Sequence, residues 1–240
     1  MIELNQIYIG DCLDVLPEIE DGSIDMILAD VPYGTTACKW DSIIPLKPMW
    51  EQLNRVIKPN GATVMTASQP FTTTLILSNI KQFKYEWIWE KSRCTGFLQS
   101  KFMPKKSHEN VLVFVKSGKP VYNPQKTKGH VKTNSAIGEG HSPTFGDSKK
   151  RNYRGGDTTR YPKSVQWFKS ERGLHPTQKP VALMEYLILT YTNYGDTVLD
   201  FAIGVGTTAI ACMNTGRNFI GIEKEFDYWY TSMERITAHE

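Results

Sequence analysis

The tetrapeptide Asp30-Val31-Pro32-Tyr33 combines a carboxylate, a backbone carbonyl and an aromatic ring. It follows the apolar run 24–29, which is interrupted only by Asp25, and a glycine comes directly after it. A strand that runs into this sequence presents all three groups at the open edge of a sheet. The carboxylate and the carbonyl can accept both hydrogens of an amine while the tyrosine ring stacks on the ring that bears it. We therefore predict that these four residues are catalytic and act on an aromatic amine.

A second candidate site is a glycine-rich turn that follows the apolar run ending at Asp200. Gly204 and Gly206 permit a tight turn, and Glu223 ends the next predicted strand, where it can accept hydrogen bonds from both ribose hydroxyls. This pattern indicates a nucleoside-bearing cofactor and leaves NAD open, because it also fits G-x-G-x-x-A. A carboxylate at position 200 would repel a pyrophosphate but attract an ammonium group, which favours S-adenosylmethionine.

The middle of the chain is strongly basic. Residues 91–172 contain 18 Lys and Arg against 5 Asp and Glu, whereas the remaining residues contain 10 against 20. Aromatic residues are interspersed in this block, as is typical of a surface that contacts a phosphate backbone. The residues predicted to make such contacts are Lys39, Lys91, Arg93, Lys101, Lys105, Lys106, Lys149, Lys150, Arg151, Arg154 and Arg160.

The elements that must position these residues follow from the apolar periodicity. Predicted strands cover residues 6–10, 24–30, 62–67, 85–89, 111–115, 197–200 and 218–223. Predicted helices cover residues 11–19, 48–57, 71–80, 180–192, 207–215 and 226–238. Alternating strands and helices predict an α/β fold with a doubly wound, mostly parallel, Rossmann-like sheet and helices on both faces. A length of 240 residues suits one such domain.

Three regions are predicted along the chain. Residues 1–94 form the half that carries the catalytic tetrapeptide, and residues 174–240 form the half that binds the cofactor. Between them, residues 95–173 form a basic insertion with little periodicity beyond residue 116. The sequence does not decide whether the predicted strand 111–115 belongs to this insertion or to the core sheet.

Several function classes are excluded by composition. No apolar stretch is long enough to span a membrane, and the N-terminus lacks a signal-peptide pattern, so we expect a cytoplasmic protein without a membrane partner. The four cysteines and five histidines show no ligand spacing, which predicts free thiols and no metal site.

With these motifs in one order, the chain resembles the amino-methyltransferases that act on DNA. Their catalytic motif is (Asp/Asn/Ser)-Pro-Pro-(Tyr/Phe), to which residues 30–33 are similar, with Val31 at the first proline position. The hexapeptide His175-Pro176-Thr177-Gln178-Lys179-Pro180 is identical to one found in the family's beta class. The permuted order of catalytic region, target-recognition region and cofactor region is also that of the beta class.

The resemblance implies a methyltransferase sheet, an S-adenosylmethionine cofactor and a target-recognition role for residues 95–173. It implies transfer of a methyl group to N6 of an adenine that is flipped out of a specific double-stranded DNA sequence, because Asp at position 30 is associated with adenine. Ala202 and Val205 depart from the larger and polar residues frequent beside the glycines, which affects cofactor affinity. The implied cofactor-binding residues are Asp11, Cys12, Asp30, Thr177, Gln178, Lys179, Asp200, Phe201, Ala202, Gly204, Gly206, Thr207 and Glu223.

The sequence leaves several alternatives open. The same chemistry on the cytosine N4 amine or on RNA is one alternative, and a catalytically silent DNA-binding protein with this fold is another. A nicotinamide-dependent oxidoreductase explains neither the tetrapeptide nor the basic block. The recognition sequence, a homodimer and a partner restriction endonuclease are not decided by the sequence.

Overall fold

The computed structural model describes residues 2–35, 38, 41–134, 136–144, 146–153, 155–171, 173 and 178–239, with only the backbone for 136–142 and 146–153. Its strands are β1 (Gln6–Ile9), β2 (Ile24–Ala29), β3 (Ile57–Ala67), β4 (Phe83–Thr95), β5 (Lys106–Val115), β6 (Ala136–Ser142), β7 (Gly146–Tyr153), β8 (Val165–Phe168), β9 (Thr197–Asp200) and β10 (Asn218–Glu223). Its α-helices are α1 (Cys12–Val15), α2 (Leu46–Val56), α3 (Phe71–Ser78), α4 (Val181–Tyr191), α5 (Thr207–Thr215) and α6 (Phe226–Thr237). Two 3₁₀ turns cover Leu16–Glu18 and Phe97–Gln99.

Eight of these strands form one sheet, in the order β1-β10-β9-β2-β3-β5-β4-β8. Every neighbouring pair is parallel except the two that involve β5, which runs antiparallel to β3 and to β4. The predicted α/β class and mostly parallel sheet are therefore confirmed. β5, which contains the predicted strand 111–115, belongs to this sheet.

Helices cover both faces of the sheet because alternate residues of each strand point to opposite sides. On β2, Met26 and Leu28 pack in the same apolar cluster as α4 and α5. Ile27 and Ala29 pack in the opposite cluster, with α2 and α3. All four side chains are fully buried, which explains why β2 reads as a continuous apolar run rather than an alternating one.

The functional residues are brought together by strand direction. Parallel strands end at the same edge of a sheet, and ligands bind outside these carboxyl ends. Asp30 follows β2, whereas Asp200 and Glu223 are the last residues of β9 and β10. The sheet order places β9 between β10 and β2, so these three carboxylates meet at one edge.

Several elements differ from the sequence predictions. β4 and β5 are longer than the predicted strands 85–89 and 111–115, α1 with the following 3₁₀ turn replaces the predicted helix 11–19, and β6 and β7 lie where no strand is predicted. β3 begins at Ile57, not at residue 62, because the chain remains extended through Lys58-Pro59-Asn60-Gly61, where the register with β2 shifts. β8 lies in a region predicted to lack periodicity, and it pairs with residues 88–91 of β4. A strand of four residues gives too short a pattern to be recognised in the sequence.

The chain forms two compact units, Met1–Asn123 with Ser164–Glu240, and Pro124–Lys163. The second unit contains the antiparallel pair β6–β7 and a bridge between Thr127 and Arg160. It is shorter than the predicted insertion 95–173, because β5 and β8 are strands of the large sheet. Among the described residues, every helix is too short or too polar to span a lipid bilayer.

Candidate active site

A cleft of about 480 Å³ opens at the carboxyl edge of the sheet. Its volume lies within the range that is usual for ligand sites. Most of the residues predicted for catalysis and cofactor binding line it: Asp11, Cys12, Asp30, Val31, Pro32, Tyr33, Gln178, Lys179, Asp200, Phe201, Ala202, Gly204, Thr207 and Glu223. Gly206 lies just behind the cleft as the N-cap of α5. Thr177, like His175 and Pro176 of the same hexapeptide, lies outside the described residues.

Asp30 is held by three donors. The hydroxyl groups of Thr66 and Tyr33 both donate to Oδ1, the latter at 2.9 Å, and Lys179 Nζ lies 2.5 Å from Oδ2. An ionised carboxylate has about four acceptor positions, so one remains on Oδ2. The side chain is 24% exposed and lines the cleft, so this position can reach a bound molecule.

Lys179 belongs to a row of alternating charges. Its ammonium group lies between Asp30 and Glu109, whose Oε2 is 3.4 Å away, and Lys91 forms an ion pair with the other oxygen of Glu109. Burial opposes the charge of Lys179, but the two carboxylates outweigh it and raise the lysine pKa. Burial would likewise raise the pKa of Glu109, but the charges of Lys179 and Lys91 hold it below its ordinary value. Lys179 and Glu109 therefore both remain ionised at neutral pH.

The loop after β2 is organised by Asp41. Its Oδ1 accepts hydrogen bonds from the amides of Tyr33 and Gly34 at 2.8 and 2.9 Å, and its Oδ2 accepts one from Thr35 at 2.9 Å. Gly34 has a φ of 66°, and a Cβ there would lie 2.9 Å from Ile43. Both facts require glycine at this position. A buried carboxylate thus fixes the backbone at the end of the tetrapeptide that is predicted to be catalytic.

Tyr33 and Val31 are oriented by packing. The Tyr33 ring stacks on Phe71 with 5.6 Å between ring centroids, and Lys179 Nζ lies 5.6 Å from the Tyr33 centroid. Val31 is 4% exposed and packs in the core beside β2. Val31 therefore places an apolar, buried side chain at the position of the first proline of the motif.

Asp200 is almost completely buried beneath the glycine turn. Its Oδ1 accepts from the Ala202 amide at 3.1 Å, and its Oδ2 accepts from the Thr208 hydroxyl at 2.5 Å. Burial raises the pKa of Asp200 to about 7, against the opposing effect of these two hydrogen bonds. A cation bound next to this carboxylate would favour its ionised form.

Glu223 closes the other side of the glycine turn. Its Oε2 accepts from the Gly204 amide at 2.7 Å, and its Oε1 accepts from the Glu225 amide at 2.9 Å. Each oxygen keeps a further acceptor position for a ligand hydroxyl. A Cβ on Gly204, whose φ is 56°, would meet no atom within 4 Å, so the backbone borders open space here.

Asp11 and Cys12 form the end of the cleft next to β1. Asp11 caps α1 by accepting from the Leu13 amide at 3.0 Å, and Lys224 lies 2.9 Å from its other oxygen. The hydrogen bond from the Leu13 amide lowers the pKa of Asp11 most, and the hydrogen bond from Lys224 lowers it further. Burial raises the pKa of the Cys12 thiol to about 12, so it is a neutral group at physiological pH.

Besides Glu109 Oε2, which faces Lys179 at 3.4 Å, three side chains of the cleft contain a buried polar atom without a hydrogen-bond partner among the described residues. They are Ser68 Oγ, Ser170 Oγ and Gln178 Oε1. Buried polar atoms are normally paired, so unpaired ones that line a cleft indicate a polar ligand. Gln178 also donates to Glu171 at 3.3 Å, which fixes its amide beside the cleft.

The residues that are predicted to contact phosphate lie in several different parts of the structure. Arg93 and Lys106 line the cleft, and Lys101 and Lys105 are exposed between β4 and β5. Lys91 differs from the prediction, because its side chain is only 9% exposed and is paired with Glu109. Arg160 donates three hydrogen bonds to carbonyl groups of its own unit. Lys149, Lys150 and Arg151 lie on β7, whose side chains are not described, and Lys39 and Arg154 lie outside the described residues.

Sequence reasoning missed Thr66, Asp41 and Glu109. Thr66 and Glu109 reach Asp30 and Lys179 only because β3 and β5 are neighbouring strands in the sheet. The one available signal for Asp41 was a carboxylate a few residues after Gly34, since aspartate often accepts hydrogen bonds from turn amides.

A family model, N6_N4_Mtase, described as DNA methylase, matches residues 24–234. The chain belongs to this family. The DNA methylase is 30% identical over 256 residues to Type II methyltransferase M2.MboI of Moraxella bovis, a match that covers 95% of this chain and 86% of the relative. It is also 30% identical over 253 residues to the DNA adenine methyltransferase YhdJ of Escherichia coli (strain K12), covering 98% of this chain and 83% of the relative.

The fold of the methylase is shared with solved structures. The crystal structure of the M1.HpyAVI–SAM complex superimposes with a TM-score of 0.68 at 27% identity. The match covers 96% of this chain and 98% of that one. The expected methyltransferase fold is thereby confirmed.

Proposed function

We propose that this DNA methylase transfers a methyl group from S-adenosylmethionine to N6 of an adenine flipped out of a specific double-stranded DNA sequence. The observation that carries the proposal is Asp30, which keeps one acceptor position towards the cleft while three donors fix its carboxylate. The relative named a DNA adenine methyltransferase supports adenine as the base. The order of the motifs, with Asp30 well before Gly204, supports the permuted beta class.

The cleft fits S-adenosylmethionine, the molecule present in the M1.HpyAVI complex. The sulfonium and ammonium groups are cationic, and the cleft is bordered by the carboxylates of Asp11, Asp200 and Glu223. Glu223 would hold the ribose hydroxyls, Asp200 would face the methionine part, and Asp11 would accept a hydrogen bond from the adenine amine. Gln178 supplies an unpaired oxygen to the same ligand.

Lys179 receives a different role from the one that the family resemblance implies. We assign it to Asp30 rather than to the cofactor's carboxylate, because its ammonium group is enclosed by Asp30 and Glu109 and is 4% exposed. Lys91 is assigned to the ion pair with Glu109 in the wall of the cleft and not to the surface that contacts phosphate.

The exocyclic amine of adenine is a poor nucleophile, because its lone pair is delocalised into the ring. Asp30 accepts one amine hydrogen and the Val31 carbonyl accepts the other, which draws the nitrogen towards tetrahedral geometry. S-adenosylmethionine supplies an electrophilic methyl group, and its sulfur keeps the electron pair of the broken bond. The amine lone pair forms the new bond, and Asp30 takes up the proton that the methylated amine then loses.

The target amine is inaccessible inside a duplex, so the base must leave the stack at a cost of roughly a few kcal/mol. Tyr33 stacks on the extruded base, since its ring is already fixed by Phe71 and by the bond of its hydroxyl to Asp30. The insertion 95–173, which contains the compact unit 124–163, carries target recognition. A partner restriction endonuclease is part of the proposal, because M2.MboI is named a type II methyltransferase.

Methyl transfer from labelled S-adenosylmethionine to duplex DNA tests the proposal. We expect label in N6-methyladenine, at sites that single-molecule sequencing of a plasmid methylated in cells identifies. Asp30→Ala abolishes the transfer, whereas Asp14→Ala, which removes an exposed carboxylate of α1, leaves it unchanged. Label in N4-methylcytosine or in RNA alone, or undiminished transfer by Asp30→Ala, contradicts the proposal. Cofactor binding without any transfer would indicate a silent DNA-binding protein.

A further inference from the structure

The β4–β5 hairpin extends beyond the edge of the sheet. Asn110 of β5 is paired with Ala67, the last residue of β3, on one side and with Ile88 of β4 on the other. From there β5 begins four residues earlier, at Lys106, which is roughly 13 Å at the usual rise per residue. β4 and β5 therefore continue past the level at which Asp30 lies, and β8 accompanies them only as far as Lys91.

One side of this hairpin is a wall of the cleft. Trp89, Lys91, Arg93 and Thr95 of β4 all line it, together with Lys106 of β5. Alternate residues of a strand point to the same side, which explains why the β4 residues that line the cleft are two positions apart. The turn that joins the strands, residues 96–105, is called the hairpin tip, and it connects the cleft-lining residues Thr95 and Lys106.

The hairpin tip exposes four large apolar side chains within seven residues. Leu98 is 93% exposed, Phe102 88%, Phe97 76% and Met103 53%. Scattered exposed apolar residues are normal, but a cluster of this kind marks a surface that contacts another molecule.

The tip presents these side chains on an ordered turn. Gly96 has a φ of 81°, and the amides of Phe102 and Met103 both donate to the Gln99 carbonyl, at 2.9 and 3.0 Å. Lys105 Nζ lies 5.9 Å from the centroid of Phe97. The apolar groups therefore do not have to be ordered by the partner.

Charge identifies the partner. Residues 92–108 contain four Lys or Arg and no Asp or Glu. Basic side chains around an apolar cluster suit a duplex, whose phosphates surround stacked apolar bases. The position beside the cleft is the place where a duplex must lie for a flipped base to reach Asp30.

We propose that the hairpin tip inserts an apolar side chain, Leu98 or Phe102, into the base stack at the position that the flipped adenine vacates. This inference rests on the proposed function and adds to it the element that drives extrusion of the base. An inserted side chain restores the stacking contacts that are lost when the base leaves, so it stabilises the open duplex. The flanking Lys101 and Lys105 hold the phosphates on either side.

The variant Leu98→Ala/Phe102→Ala tests the inference while leaving every basic residue of the tip in place. The control is Leu77→Ala, which removes a 67% exposed leucine of α3. Methyl transfer is measured on a normal duplex and on a duplex in which the target adenine faces an abasic site. We expect the double variant to lose about 10-fold or more in rate on the normal duplex. On the second duplex, where no base pair has to be opened, its rate should equal that of the wild-type protein.

A fluorescent 2-aminopurine at the target position reports flipping directly. We expect its fluorescence to rise with the wild-type protein and the control, and to remain low with the double variant. Equal losses on both duplexes, or no loss on either, would overturn the inference, as would an unchanged fluorescence rise. Unchanged thermal unfolding and cofactor binding show that the double variant is folded. Failure of the wild-type protein to methylate either duplex would instead contradict the proposed function.

Discussion

Lys179 lies between two carboxylates, and this position sets the balance of charge around Asp30. The family resemblance implies that Lys179 of the hexapeptide 175–180 binds the carboxylate end of the cofactor, whereas its ammonium group lies 2.5 Å from Asp30 and 3.4 Å from Glu109. The identity of the residue was visible in the sequence, but its partners were not. They depend on which strands are neighbours, and Glu109 is on β5, the one reversed strand of the large sheet.

Removal of the charge at Lys179 should destabilise the protein and slow catalysis. Breaking one partner of a buried ion pair costs about 3–5 kcal/mol, so we expect Lys179→Met to lower the free energy of unfolding by that order. The double variant Lys179→Met/Glu109→Gln should regain part of this loss, because it restores the balance of one cation, Lys91, against one carboxylate, Asp30. Urea unfolding and single-turnover rates measure both effects. For comparison, the surface pair of Lys224 and Asp11 should contribute less than about 1 kcal/mol. Equal stability of Lys179→Met and the wild-type protein would refute this account.

Asp200 should make cofactor binding depend on pH. Its pKa is raised to about 7 by burial, so the carboxyl group is largely protonated below that pH in the ligand-free protein. A cationic ligand favours the ionised form, so binding releases a proton and affinity should rise with pH until about pH 7 and then level off. Calorimetric titration in buffers of different ionisation enthalpy measures the proton release. Asp200→Asn should reduce that release below pH 7, and an unchanged release in this variant would exclude Asp200 as its source.

At the scale of the elements, the strand ends were predictable and the loop conformation was not. β9, α5 and β10 have the bounds that their periodicity predicts, so Asp200 and Glu223 could be placed at the sheet edge from sequence alone. The loop after β2 lacks periodicity, and its conformation depends on a single buried carboxylate, Asp41. Hydrogen bonds of this kind join residues that no spacing rule connects.

Asp41 is expected to fix the catalytic loop without binding substrate. Asp41→Ala would leave three backbone amides without an acceptor, each at a cost of roughly 1–3 kcal/mol if it stays buried, so the loop should open instead. We expect faster hydrogen exchange at Gly34 and Thr35 and a lower kcat, with DNA affinity unchanged. Asp41→Asn keeps one acceptor oxygen and should be intermediate. If exchange at these amides stayed at the wild-type rate, Asp41 would not be what orders the loop.

Across the whole molecule, charge separates the two tasks of the protein. Residues 91–172 carry 18 basic against 5 acidic side chains, whereas the remainder carries 10 against 20. The acidic remainder includes the carboxylates that border the cleft and suit a cationic cofactor. The basic block suits the phosphate backbone. This division was predictable from sequence, but which lysines are available was not, since Lys91 is buried in an ion pair and Arg160 is bound to carbonyl groups of its own unit.

The salt dependence of DNA binding should therefore identify the lysines that contact phosphate. A protein that neutralises Z phosphates shows a slope of about −0.9Z in a plot of log K against log salt concentration. Lys101 and Lys105 are exposed on the hairpin tip, so Lys101→Gln and Lys105→Gln should each reduce the slope by about one. Lys81→Gln, an equally exposed change outside the basic block, should leave the slope unaltered. Fluorescence anisotropy at several salt concentrations measures the three slopes. Identical slopes for the tip variants and the wild-type protein would place the phosphate contacts elsewhere in the block, whereas a reduced slope for Lys81→Gln would extend them to the acidic part of the chain.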